Sequence, residues 1–401
     1  MTLSLHATPI PERPPPSYHD RVRSLTFNII FGAGIVLTFL FQLIVLPFAL
    51  LPQASAQKLF RGAISYSKDV FASLLILIVH VFGPTTLVLT ADDSVNLEEL
   101  VRRDAKGDVT GFNLAKQALW ISNHQQYADW IYPWILMSFG SVASGLVIVL
   151  KASLEWAPIV GPAMQLFHFC FIDKKKTLGR SNLYRTAAAA VKRDEPYQAL
   201  LFPEGTLYSV LTRPKSAKYA ESLGIPNATN VLLPRSAGLF FSLRCLLALI
   251  PASSLTFYDL TVGYTGVPAQ GFAQSYYTLQ SAFGRGIAPP TVHMHFRQHR
   301  VEDVPLGKYS ATAPPRQIEA SLTSEDKQVF DTWLREKWQE KDLLMGGFGE
   351  KGEFPTGPQG KVEFRIRMRT ADWVMLGSVP VVLWIAYRGV RVAWAVLSFV
   401  I

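Results

Sequence analysis

A histidine and an aspartate five positions apart form the pair most suited to chemistry in this sequence. The segment ISNHQQYADW, residues 121–130, contains Asn123, His124 and Asp129. A histidine whose ring is oriented by a carboxylate can act as a general base. Side chains five positions apart do not meet on a regular helix, where neighbours lie three or four apart. We therefore predict that His124 lies in a loop or first turn and Asp129 on the following helix, with Asn123 as a helix cap.

A second polar block, LFPEGT at residues 201–206, follows an apolar stretch. Gly205 would allow a ligand to approach the backbone closely, and exposed amides in such a turn favour anions. Glu204 could hydrogen-bond a substrate hydroxyl or a basic residue, and Thr206 completes the turn. A turn needs no function by itself. The two blocks occurring in this order favour a functional site over an ordinary turn.

Basic residues follow two further apolar stretches. Lys174 lies in FIDKKK, residues 171–176, and Arg235 lies in LLPRS, residues 232–236. Lysine binds phosphate as a point charge, although a solvated loop explains either segment equally well. His293 and His295 could share one strand face and bind zinc. No Cys or Glu accompanies them at ligand spacing, so we predict no metal site.

The elements that must position these residues are buried strands. Residues 118–121, 167–172 and 199–202 are predicted strands, and each delivers a polar cluster at its C-terminal end. Helical stretches such as residues 182–193 alternate with them, which indicates an α/β core. Sites in open α/β sheets form at the carboxyl ends of strands. His124, Lys174 and Glu204 fit that position.

Other stretches of the chain predict its remaining organisation. The uncharged residues 131–150 favour a buried helix and then a strand ending at Lys151, over a membrane span. Residues 325–343 predict a charged amphipathic helix, and the Gly-rich residues 346–361 predict a flexible linker. The Pro-rich residues 1–24 are expected to be disordered.

The composition indicates an anionic partner and a membrane. Apolar residues make up 49% and charged residues 17% of the chain, and the formal net charge is +9. A membrane surface or a phosphorylated substrate fits this charge better than nucleic acid, because no recognition motif orders the Lys and Arg residues. Cys170 and Cys245 lie in apolar stretches and resemble buried, reduced thiols.

Three apolar stretches are candidates for membrane association. Residues 27–51 carry no charge and are long enough to cross a hydrocarbon core of about 30 Å. With residues 70–89, they form either two full spans or a hairpin that enters and leaves the same leaflet. Residues 373–387 are either a full span or a tilted interfacial segment in which Arg388 and Arg391 reach the headgroups.

At these blocks the chain resembles the 1-acylglycerol-3-phosphate or lysophospholipid acyltransferase family of membrane enzymes. Neighbouring segments, such as YADW and VHMHF, resemble its eukaryotic lysocardiolipin and lysophosphatidylinositol branch. The chain departs from the family at Lys174 and Leu207, where many members carry an arginine implicated in phosphate binding. The four matching blocks are residues 123–129, 171–174, 202–206 and 231–234.

The resemblance implies a fold and a reaction. The expected fold is α/β, a glycerolipid-acyltransferase-like mixed sheet flanked by helices, with N-terminal membrane helices and a C-terminal apolar segment. The expected reaction is acyl transfer from acyl-CoA, as co-substrate and with no cofactor, to a free hydroxyl of a lysophospholipid. His124 would be the base and Asp129 would orient it, with no covalent intermediate. The implied lipid-binding residues are Asn123, Lys174, Glu204, Gly205, Thr206 and Arg235.

The implied organisation is a disordered tail (1–24), membrane helices or hairpin (25–92), a catalytic domain (93–310), an amphipathic helix and linker (311–362) and a membrane-associated C-terminal segment (363–401). The resemblance further implies an integral protein of the endoplasmic reticulum or another intracellular membrane. The departures at Lys174 and Leu207 favour lysophosphatidylinositol or another lysophospholipid over lysophosphatidic acid. A lipid hydrolase or CoA-thioesterase, and a non-enzymatic membrane scaffold, remain as alternatives.

Overall fold

The structure, a computed structural model, describes residues 5–172, 178–308, 317–318 and 323–400, and it is built on an eight-stranded sheet. The strand order is β10-β1-β9-β8-β4-β7-β5-β6. The remaining two strands, β2 and β3, pair with each other beside it. The strands are β1 Thr86–Ala91, β2 Val101–Arg103, β3 Val109–Phe112, β4 Gln117–Ser122, β5 Leu146–Lys151, β6 Cys170–Ile172, β7 Tyr197–Leu201, β8 Thr256–Tyr264, β9 Thr291–His299 and β10 Val362–Arg365.

The strand directions bring the predicted site residues to one edge. β8, β4, β7, β5 and β6 run parallel, whereas β9 is antiparallel to β8. His124 and Glu204 therefore both follow the carboxyl ends of adjacent parallel strands, β4 and β7. The predicted mixed α/β fold is confirmed. Of the predicted strand 167–172, only Cys170–Ile172 is extended.

Helices cover both faces of the sheet, and the side chains of β4 alternate between two apolar cores. Trp120 packs with residues of α3 and α5, whereas Leu119 packs with residues of α7, α9 and α11. The predicted helix and strand over residues 131–150 are confirmed by α5 and β5. The α-helices are α1 Tyr18–Val45, α2 Pro47–Leu50, α3 Ala54–Phe82, α4 Leu97–Leu100, α5 Ile131–Phe139, α6 Val160–Leu166, α7 Leu178–Lys192, α8 Arg213–Leu223, α9 Ser236–Leu247, α10 Ala273–Tyr276, α11 Ser324–Lys351 and α12 Thr370–Val400.

Among the residues that the structure describes, three helical stretches are long and apolar enough to cross a membrane: Tyr18–Leu50, Ala54–Phe82 and Thr370–Val392. The prediction of a membrane segment over residues 70–89 is wrong in extent. Helix α3 ends at Phe82, and the next apolar residues form β1 inside the sheet. Both halves of that stretch are apolar because the protein core buries most of them, so hydropathy did not separate helix from strand.

α1, α3 and α12 pack together. Phe41, Ile64 and Val379 belong to one buried cluster that joins these three helices. The C-terminal apolar segment is one continuous helix through Val400, which agrees with the full-span alternative in length. Buried Asp372 accepts hydrogen bonds from Ser73 of α3 and from Arg369, which also donates to Ser138 of α5. Polar contacts therefore fix α12 to both α3 and α5.

Three predicted boundaries are wrong. Residues 5–24 are not a disordered tail, because buried Arg13 donates to Ser281 and to the carbonyl of Tyr276, and Ser17 caps α1. The predicted Gly-rich linker begins inside α11, which continues to Lys351 because its face, including Phe348, is buried. The sheet extends beyond residues 93–310, the range predicted for the catalytic domain, since β1 precedes and β10 follows that range. Composition alone does not reveal these tertiary contacts.

Candidate active site

His124 and Asp129 meet where β4 ends. His124 lies in the loop after the strand, and its Nδ1 lies 2.8 Å from Asp129 Oδ2. Asp129 lies in the turn before α5, so the prediction that it belongs to the helix is wrong. The same Oδ2 accepts the backbone N–H groups of Gln125 and Gln126 at 2.6 and 3.0 Å. The loop therefore surrounds the carboxylate, and this conformation brings the two side chains into contact although they lie five residues apart in sequence.

Tyr264 completes the surroundings of Asp129. Its hydroxyl donates to Asp129 Oδ1 at 2.5 Å. Burial, reinforced by the charge of Asp129, raises the pKa of Tyr264 well above its usual value, so the hydroxyl stays a donor. Sequence reasoning missed this residue. The available signal was its place at the carboxyl end of β8, the strand beside β4.

The His124 ring presents its second nitrogen to the exterior. The imidazole stacks on Phe202 with ring centroids 4.4 Å apart, and its side chain keeps 20% exposure while that of Asp129 is fully buried. Among the described residues, Nε2 has no hydrogen-bond partner. With Nδ1–H donating to Asp129, Nε2 carries the free lone pair. This is the arrangement of a general base.

Glu204 joins separate blocks of the sequence. Its Oε1 accepts the backbone N–H of His124, and its Oε2 accepts that of Leu232, both at 3.0 Å. Burial raises the pKa of Glu204 to about 8, although the two amide hydrogen bonds act in the opposite direction. Both oxygens are thus engaged by protein backbone. In this arrangement the predicted lipid-binding carboxylate holds the His124 loop in place.

The other predicted binding residues lie around the same turn. Gly205 is exposed with a positive φ of 67°, and no atom lies within 4 Å of where a Cβ would stand. Thr206 is half-buried beside it. The backbone N–H of Arg235 donates to Pro203 O at 2.7 Å, and its exposed guanidinium lies 3.4 Å from the ring centre of Tyr219. Lys174 lies outside the described residues.

Asn123 is buried and does not cap a helix. Its side-chain Nδ2 donates to Val262 O at 2.9 Å, and its Oδ1 accepts Val262 N at 2.8 Å. The predicted cap is wrong, because α5 follows Trp130 and has no side-chain cap. The paired amide bonds instead join the end of β4 to β8. They fix the end of the strand that precedes His124 against the strand that carries Tyr264.

The remaining candidate groups are engaged elsewhere. His293 contacts Thr291, and His295 contacts Thr90, each at 3.0 Å. Within the part of the chain that the structure describes, no group of three or more His, Cys, Asp or Glu residues could hold a metal ion. Burial raises the pKa of the Cys170 thiol to about 12, which disfavours a thiolate nucleophile there. At the described residues of the site, the groups that the structure brings together are the base His124 and the exposed backbone at Gly205.

Comparison with known proteins agrees with this geometry. A family model described as acyltransferase matches residues 95–262, which include His124, Asp129, Glu204 and Arg235. The chain is 30% identical over 359 residues to a 2-acyl-1-lysophosphatidylinositol acyltransferase of Saccharomyces cerevisiae, covering 80% of this chain and 85% of that protein. It is 29% identical to lysocardiolipin acyltransferase 1 of Gallus gallus, covering 61% and 57% of the two chains. It is 30% identical to a probable 1-acyl-sn-glycerol-3-phosphate acyltransferase of Arabidopsis thaliana, covering 60% and 55%.

Proposed function

The chain belongs to the acyltransferase family, and on that premise we propose that it transfers a fatty acyl group from acyl-CoA to a free hydroxyl of a lysophospholipid. One observation carries the proposal: His124 has Asp129 at Nδ1 and leaves Nε2 free beside the open edge of the sheet. Acylation of a lysophospholipid agrees with the names of relatives that act on lysophosphatidylinositol and lysocardiolipin.

The reaction needs one proton carrier. Nε2 of His124 takes the proton of the lipid hydroxyl while that oxygen attacks the thioester carbonyl of acyl-CoA. The new C–O bond forms, the C–S bond breaks, and the CoA thiolate leaves with the bonding electrons. The imidazolium then returns the proton to the thiolate. The negative charge of Asp129 stabilises the imidazolium in between.

The phosphate side of the site favours a phosphodiester acceptor. Arg235 is an exposed cation beside the Pro203–Gly205 turn, and Lys174 follows β6 in sequence. Leu207 is buried with 8% exposure, so this position contributes no charge to the turn. A bare phosphomonoester gains most from additional bidentate arginine contacts. We therefore propose lysophosphatidylinositol or another lysophospholipid as the acceptor, ahead of lysophosphatidic acid.

The location we propose is the endoplasmic reticulum membrane or another intracellular membrane, with the protein integral to it. Three helices of sufficient length and apolar composition support an integral protein. Carbonate washing of isolated membranes tests this point. The protein should stay in the pellet, and its release into the supernatant would contradict integral attachment.

A transfer assay tests the function. Membranes containing the chain are incubated with labelled acyl-CoA, with and without lysophosphatidylinositol, and both phospholipid and free acid are quantified. We expect labelled phospholipid that depends on the acceptor. Release of free acid at a rate independent of the acceptor would instead indicate a hydrolase or thioesterase.

Two variants separate catalysis from scaffolding. His124→Ala should lower the turnover number by orders of magnitude, since it removes the base. His19→Ala, at an exposed position in α1, is the matched control and should leave turnover unchanged. Near wild-type turnover in His124→Ala would contradict the mechanism. An acceptor panel tests specificity, and a tenfold preference for lysophosphatidic acid, about 1.4 kcal/mol, would contradict the proposed acceptor.

A further inference from the structure

A carboxylate on α11, outside the segment matched by the family model, holds a loop that contacts the active site. Asp342 Oδ1 accepts three consecutive backbone N–H groups, those of Thr229, Asn230 and Val231, at 3.0, 2.5 and 3.2 Å. Its Oδ2 also accepts the N–H of Thr229 at 3.0 Å. Residues 229–232 are named here the 229–232 loop. One side chain, that of Asp342, therefore accepts hydrogen bonds from three of the four backbone N–H groups in this loop.

The first connection from this loop to His124 passes through Glu204. The N–H of Leu232, the last residue of the loop, donates to Glu204 Oε2 at 3.0 Å. The opposite oxygen of the same carboxylate accepts the N–H of His124 at 3.0 Å. A shift of the loop therefore acts on the backbone of His124 through one buried side chain.

Two further connections run in parallel with the first. Gln125 donates from Nε2 to Asn230 O at 3.1 Å, while its own N–H donates to Asp129. The hydroxyl of Tyr208 donates to Thr229 O, and the backbone N–H of Tyr208 donates to His124 O at 2.7 Å. With the connection through Glu204, three separate sets of hydrogen bonds thus join the 229–232 loop to the backbone of His124 and to Gln125.

The neighbouring residue, Lys341, supports the opposite side of the site. Its ammonium group donates to Asp259 and to Leu260 O on β8, the strand that ends at Tyr264. Tyr264 in turn donates to Asp129. Consecutive residues of α11 are therefore linked to both members of the His124–Asp129 pair.

We propose that Asp342 is a positioning residue of the active site, which fixes the 229–232 loop and, through it, the backbone of His124. This inference rests on the proposed function, in which His124 is the base. Asp342 touches no reacting atom. Its effect should fall on turnover rather than on lipid affinity, because displacement of a base misaligns the transition state while leaving the acceptor contacts in place.

Kinetics of the full-length protein in detergent–lipid mixtures test the proposal, with rates referred to the folded fraction from size-exclusion chromatography. Asp342→Ala removes the acceptor of the three amides, and we expect kcat to fall by about 10- to 100-fold, the scale of a base displaced by about 1 Å. The KM for lysophospholipid should change much less. Asp342→Asn keeps an oxygen at the Oδ1 position and should retain most of the activity.

Two controls make the result specific. Glu336→Ala removes the same charge from an exposed position of α11 and should leave kcat unchanged. The double variant Tyr208→Phe, Gln125→Ala removes two of the three hydrogen-bonded connections and leaves Asp342 in place. Its kcat should also fall, and this measurement tests the proposal if Asp342→Ala does not fold. A kcat equal to wild type in folded Asp342→Ala, or in the double variant, would overturn the proposal.

Chemical modification of His124 keeps this test separate from the test of the reaction. The rate at which diethyl pyrocarbonate modifies His124, measured by mass spectrometry, depends on the position of the ring and not on acyl transfer. We expect faster modification in Asp342→Ala than in the wild type and in Asp342→Asn. Equal rates in all three would contradict the positioning role, whereas absent acyl transfer by the wild type would contradict only the proposed function.

Discussion

Replacing Asp129 by asparagine removes the negative charge beside His124 and preserves the shape of the side chain. The amide oxygen can take the place of Oδ2, where it accepts from His124 Nδ1 at 2.8 Å and from two backbone N–H groups. The amide NH₂ then faces the Tyr264 hydroxyl, which can accept as well as donate. Because every partner remains satisfied, the change should act on catalysis more than on folding.

The loss follows from the interaction between the carboxylate and the imidazolium. Two opposite unit charges about 4 Å apart attract by about 4 kcal/mol at an effective dielectric constant of about 20. This attraction is absent while His124 is neutral and present once it has taken the proton, so it stabilises the transition state selectively. Since about 1.4 kcal/mol corresponds to tenfold, we expect kcat to fall by about 10³-fold in Asp129→Asn.

The matched variant is Tyr264→Phe, which removes one hydrogen bond to Asp129 and keeps the charge. One hydrogen bond contributes about 1 kcal/mol net, or roughly fivefold, so the turnover of this variant should fall by no more than about fivefold. Both proteins are assayed with saturating acyl-CoA and lysophospholipid, and folding is checked by the thermal midpoint. Turnover of Asp129→Asn within about tenfold of wild type, and no lower than that of Tyr264→Phe, would refute the electrostatic argument.

Two further predictions concern buried charges. Because burial raises the pKa of Glu204 to about 8 from its usual value near 4.5, the folded state holds a proton that the unfolded state releases. Thermal stability should therefore decline as the pH rises from about 5 to about 8. The variant Glu204→Gln cannot release this proton, so its thermal stability should depend less on pH. An unchanged slope in that variant would assign the pH dependence to another group. Lys341→Met removes the ammonium group that pairs with buried Asp259 and leaves that carboxylate with His299, and the loss of one partner of a buried ion pair typically costs about 3–5 kcal/mol. The ammonium group of Lys341 also donates to Leu260 O and to the Thr261 hydroxyl, at 2.6 and 3.0 Å. The double variant with Asp259→Asn should recover part of the lost thermal midpoint. Failure to recover any would show that the ammonium group stabilises the protein through Leu260 and Thr261 rather than through the carboxylate.

The sequence predicted what depends on short spacing and strand order. The separation of His124 and Asp129 required a loop, and the contact between them is present. Alternating strands and helices predicted parallel strands, and the carboxyl ends of β4 and β7 do bring His124 and Glu204 together.

The sequence did not predict the contacts that depend on which strands pair and on how α11 packs against the sheet. Tyr264 reaches Asp129 across 135 positions only because β8 pairs with β4, and no local pattern encodes that pairing. The contacts of Asp342 likewise depend on how α11 packs against the sheet. Hydropathy predicted one membrane segment over residues 70–89 because a buried strand and a membrane helix share the same apolar composition.

The position of β10 has a consequence for biosynthesis of the protein. β1 is made early, yet one of its two partners, β10, is formed by residues 362–365, immediately before the helix α12. Until the ribosome has released this segment, the outer hydrogen-bonding groups of β1 stay open, and such an edge invites pairing with other chains. The sheet is therefore completed only shortly before α12 is synthesised. A chain truncated before Val362 would present an unfinished edge to chaperones and proteases, which would remove it before it reached an active state.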